Sequence, residues 1–138
     1  MTPETKEWYD MAVMDLGVAR HLDETYRPKP LEIICYHCQQ AAEKAIKALI
    51  VYFGGRGGMP KLHDLSFLLN QIKNKVCIED KYYDYADILT PYGVSVRYPG
   101  ELFLEERHAK DTLEFSGEIL RWVQSIVCSE GFMIIKYT

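Results

Sequence analysis

The chain has 138 residues, 48% of them apolar and 26% charged, with a net charge of −4. That size and balance suit one domain with an ordinary buried core and exclude a disordered chain. A pI near 5.6 excludes a general nucleic-acid coat, which needs a basic face for phosphate, but leaves room for a small basic pocket.

The first segment covers residues 2–25. Thr2-Pro3-Glu4 reads as a helix start: a hydroxyl cap, a proline whose missing N–H costs nothing there, and an acid near the positive end. Trp8, Ala12, Leu16, Ala19 and Leu22 form a helical stripe, and Pro28 and Pro30 stop it. The second segment runs from Leu31 to Phe53. Ile34, Cys38, Ala41, Ala45, Ala48 and Tyr52 step by three or four, and Cys35, Ala42, Ile46, Leu49 and Phe53 widen the apolar face. The charged residues fall elsewhere, with Glu43 four before Lys47, the favourable order for a helix pair. Gly54-Gly55 ends this helix, and GGRGGMPK at 54–61 is a loop.

A third segment starts at the Asp64 cap with Leu65, Leu68, Leu69 and Ile72. A fourth, about 79–92, is aromatic, with Tyr82, Tyr83, Tyr85 and Tyr92, and ends at Pro91 and Gly93. VSVRYPG at 94–100 is a short extended stretch closed by a turn. The fifth segment, about 102–128, carries Ala109, Leu113, Ser116, Leu120, Val123 and Val127 on one face. The expected fold is all-α: an antiparallel up-and-down bundle of four to five helices in a single domain, 1–129, with a C-terminal tail, 130–138.

No apolar run approaches the roughly 18–20 residues that span a bilayer. The start, MTPETKEWYDM, lacks the basic-then-apolar order of a secretory signal. The expectation is a cytoplasmic protein with no membrane contact and with its four cysteines reduced. Cys35 and Cys38 make a C-x-x-C, but at least a turn inside a helix and on its apolar side. A redox pair sits at a helix N-terminus, and zinc wants four ligands, whereas Cys77 and Cys128 are isolated. The pair reads as core packing, with no metal and no cofactor. The small seam Cys38, Ala41, Ala45, Ala48 lets a neighbour approach closely, so this helix is expected at the centre of the bundle.

Trp8 with Asp15-Leu16, YHCQQAAEKAIKAL at 36–49, the glycine loop, HDLSFLL at 63–69 and VRYPGE at 96–101 before a long last helix together resemble the HEPN domain family, over about residues 5–128. The resemblance implies a homodimer with a cleft near its interface. It also implies a separately encoded minimal nucleotidyltransferase as partner, in a two-gene toxin–antitoxin-like module. Some members are metal-independent ribonucleases with an R-x4–6-H motif, in which histidine moves a proton and arginine stabilises the phosphorane charge.

That motif is missing at its expected position. A histidine partner for Arg97 would fall at Leu102, Phe103 or Leu104, and an arginine partner for His108 at Glu101, Leu102 or Phe103. Arg97 and His108 have ten residues between them. Arg56 and His63 fit the spacing but lie about the glycine loop, where the match reads as chance. The better candidate is Arg97-Tyr98-Pro99: a permanently charged fork for phosphate, a ring for stacking on a base, and a rigid turn. Against it stands pairing of Arg97 with Glu101, Glu105 or Glu106. Lys44, Lys47 and Lys61 complete an anion pocket or are plain surface lysines. His63 reads as a neighbour of the Asp64 cap, and His37 as exposed or at a dimer contact. Nucleotide-binding candidates are thus Arg97, Tyr98, Lys44, Lys47 and His63. The favoured function is a non-catalytic HEPN protein that binds a nucleotide, the transferase, or both. The alternative is a ribonuclease toxin that acts on RNA through a displaced site of Arg97 with His108 or His63.

Overall fold

The computed structural model describes residues 1–58, 64–94 and 103–128. Within them the chain forms helices α1 (Pro3–Thr25), α2 (Leu31–Tyr52), α3 (Leu65–Asn70), α4 (Asp80–Leu89) and α5 (Glu106–Val127), with a 3-10 turn at Thr90–Gly93 after α4. There is no strand among the described residues. The bundle is the all-α fold expected. Of the extended stretch 94–100 only Val94 is described, and the tail 130–138 lies outside the described residues.

The local signals act as the chemistry requires. Thr2 caps α1 by accepting the Thr5 N–H at 3.2 Å, and Asp64 caps α3 by accepting the Phe67 N–H at 3.1 Å. Gly54, at φ +93°, closes α2 in a conformation that a side chain would strain. The helix α5 begins at Glu106 rather than near 102, where the backbone N–H of Glu105 donates to Nδ1 of His108 at 2.9 Å.

α2 is the axis of the bundle. It pairs most extensively with α1, then with α5, and also touches α3, α4 and the 3-10 turn. From Ala41 to Val51 every residue except Lys44 is buried. The seam of Cys38, Ala41, Ala45 and Ala48 is fully buried, as the small side chains require for close helix approach. On α1 the buried aromatic is Tyr9, whose hydroxyl donates to the Leu120 carbonyl of α5 at 3.2 Å. Trp8, one residue earlier on the stripe, is only partly buried. α4 docks on α5 through two stacked ring pairs, Tyr82 on Trp122 at 4.6 Å and Tyr85 on Phe115 at 4.4 Å between centroids.

Cys35 and Cys38 are fully buried thiols of this core. The Thr112 hydroxyl donates to Sγ of Cys35 at 3.4 Å. Burial pushes the Cys35 thiol up, and it pushes Cys38 up to about 12. Neither is a thiolate near neutral pH, so the pair lacks the activated nucleophile of a redox C-x-x-C.

Ala45→Leu should therefore lower stability by about 1–3 kcal/mol through overpacking, read as a fall in the urea midpoint. A thiol reagent should label exposed Cys77 in the native protein and reach Cys35 and Cys38 only after unfolding. The neutral Cys38 thiol favours the fold below its unfolded pKa of 9.0. That contribution is lost as pH rises from 9.0 towards about 12. Alkaline loss of stability in that window should be shallower in Cys38→Ala.

Candidate functional site

Because most of α2 is enclosed, three polar residues of QQAAEKAIK lie off any solvated face. Gln39, Glu43 and Lys47 are all buried. Lys47 Nζ donates to Glu43 Oε2 at 2.8 Å, Gln39 Nε2 donates to Glu43 Oε1 at 3.1 Å, and Gln40 Nε2 donates to Gln39 Oε1 at 2.8 Å. Lys47 Nζ also stands 5.4 Å from the centre of the Trp8 ring, a cation–π distance. A buried charge pair needs this degree of satisfaction, since desolvation otherwise outweighs the attraction. The 3-10 turn closes directly over the network: a Cβ on Gly93 would lie 2.9 Å from the Gln39 amide carbon.

A second polar cluster lies on the α1–α2 seam. Asp15 of α1 is shared between two residues of α2, with His37 Nδ1 at 2.9 Å and Lys44 Nζ at 2.5 Å. His37 and Tyr36, in T-shaped contact at 5.4 Å, wall a groove of about 270 Å³ together with Glu32, Ile33 and Val94. Val94 is one of its lining residues, and in the sequence Arg97 and Tyr98 follow Val94 within four residues.

Of the residues singled out from sequence, Lys44 and Lys47 lie one helical turn apart on α2, yet each has its own carboxylate partner. Lys44 is held by Asp15, and Lys47 by Glu43. His108 stands in the first turn of α5, its Nδ1 occupied by the Glu105 N–H. Arg97, Tyr98, His63 and Lys61 lie outside the described residues. Sequence reasoning did not anticipate that Asp15 bridges His37 and Lys44. It read Glu43–Lys47 as a helix-surface pair, whereas the pair is internal. The available signal was the length of α2's apolar surface: two adjoining rows leave little circumference for a wet face. No group of three or more His, Cys, Asp or Glu side chains among the described residues is arranged to hold a metal ion. Nor is any helix among them long and apolar enough to cross a membrane.

The model of the HEPN domain matches residues 5–126. The chain belongs to the HEPN family. Solved structures agree on the fold. The protein TT1696 from Thermus thermophilus has a TM-score of 0.77 at 22% identity, over 90% of this chain and 98% of that one. The archaeal HEPN homologue ST0689 has 0.73 at 25% identity, over 91% and 99%. A HEPN domain protein of Thermotoga maritima has 0.69 at 21% identity, over 88% and 98%. Among curated proteins the sequence has no match. In this HEPN chain the glutamate and second lysine of QQAAEKAIK are thus internal ion-pair partners.

Glu43→Ala strands the buried Lys47 and should cost about 3–5 kcal/mol. Replacing both residues by leucine should cost markedly less than Glu43→Ala alone. Urea unfolding of the three variants measures the difference.

Proposed function

We propose that this HEPN protein is a non-catalytic binding subunit. It binds a nucleotide, a separately encoded minimal nucleotidyltransferase, or both, in a two-gene toxin–antitoxin-like module. The observation that carries the nucleotide reading is the groove walled by Tyr36 and His37. It offers ring faces for a base, and its lining residue Val94 precedes Arg97, whose fork suits phosphate, by three positions in the sequence. Lys44 adds positive charge beside His37 through their shared carboxylate.

Protein docking is supported by the outer face of α1. Met11, Met14 and Val18 are exposed there at helical spacing, with Met14 69% exposed. Such a stripe suits a second copy of the chain or the transferase, since contiguous apolar surface marks an interaction site. The non-catalytic reading rests on the absence of R-x4–6-H at its expected position around Arg97 and His108 and on the use of His108 Nδ1 within its own helix start.

Co-expression with the neighbouring gene product should give a complex that survives purification, and Met14→Glu should weaken it. Nucleotide should raise the melting temperature of the wild type, as a ligand of the native state must. Arg97→Ala should abolish that rise. Metal-independent cleavage of a mixed RNA set, lost in Arg97→Ala, would replace this reading with the ribonuclease one.

A further inference from the structure

Arg20 of α1 and Arg121 of α5 reach the same place. A Cβ built on Gly117 would stand 3.1 Å from Nη2 of Arg20 and 3.4 Å from Nη1 of Arg121. Gly117 is buried, so the two guanidinium groups converge over bare helix backbone. Two permanent positive charges this close repel unless an anion lies between them.

The described residues do not supply that anion. Nη1 of Arg20 is buried with no hydrogen-bond partner. Glu24, one turn after Arg20, forms no ion pair with either arginine, and two other carboxylates nearby in sequence are engaged elsewhere. Glu118 is held by the Tyr85 hydroxyl at 3.1 Å and by Lys81 at 3.8 Å, and Asp23 by Lys29 at 3.3 Å. In a chain of net charge −4 this is a local excess of positive charge.

We infer that Arg20 and Arg121 form a binding site for a phosphate-type oxyanion, seated between α1 and α5 over Gly117. Each guanidinium offers a planar fork of N–H donors, and a phosphate group has enough oxygens to engage two forks at once. The absent side chain at Gly117 lets both forks approach the helix backbone. This site lies on the α1–α5 seam, whereas the groove at His37 borders the α1–α2 seam, so the two are independent.

Calorimetric titration at constant ionic strength tests it, with inorganic phosphate in one arm and AMP in the other. Binding by phosphate identifies a free anion. Binding by AMP without phosphate identifies a nucleotide monoester. In either case affinity should fall roughly tenfold or more in Arg121→Gln, given the strength of charge-assisted hydrogen bonds. It should fall likewise in Arg20→Gln. It should be unchanged in Lys73→Gln, which removes the same charge from an exposed site elsewhere. Arg121 is exposed, so its replacement leaves the fold intact even if Arg20→Gln does not. If neither anion binds, or if binding is equal in wild type and Arg121→Gln, the site does not exist.

Discussion

Enclosing most of the circumference of α2 is the constraint from which the rest of this HEPN structure follows. A helix touched by α1, α3, α4, α5 and a 3-10 turn keeps only a narrow, partly exposed edge, through Ile33, Tyr36, His37, Gln40 and Lys44, on which to leave a polar group. Each polar group on it must find a partner inside the protein or at a seam. Glu43 therefore holds Lys47 and Gln39 together, and Gln39 in turn supports the turn at Gly93. The network couples the centre of the bundle to the start of the segment that carries Arg97. A buried ion pair of this kind contributes little net stability compared with apolar packing.

α1 links the two polar regions. Asp15 faces α2, where it holds His37 and Lys44, while Arg20 faces α5 and meets Arg121 over Gly117. Five residues of α-helix turn the side-chain direction by roughly 140°. One helix thus presents a negative group to one seam and a positive group to another, with its apolar stripe packed between them. The exposed methionines occupy what remains of its circumference. This division of one helix into core stripe, two polar edges and an apolar outer face brings each proposed contact close to the packed centre.

Much of the fold was legible in the sequence because it depends on local chemistry. The caps at Thr2 and Asp64, the stop at Gly54 and the three-four spacing on α1, α2 and α5 act within a few residues of themselves. The C-x-x-C pair was legible too, since its place inside a helix determines burial, and burial raises the thiol pKa. The polar residues were less so. The Glu43–Lys47 spacing is identical for a surface pair and a buried one, and only the neighbours of α2 distinguish them. The bridge from Asp15 to His37 and Lys44 spans 22 and 29 positions. The Arg20–Arg121 convergence joins the first helix to the last, and no periodicity within a segment encodes either.

By itself, then, the sequence determined where helices start and stop, which faces are apolar and which family the chain resembles. Side-chain size and backbone preference act over one or two turns, so a linear reading captures them. Only the tertiary structure decided which charges are internal, which histidine has a carboxylate beside it and where two arginines meet. Those outcomes depend on which helices become neighbours and at what rotation. The total apolar burial of the whole bundle sets that rotation, and no single segment does.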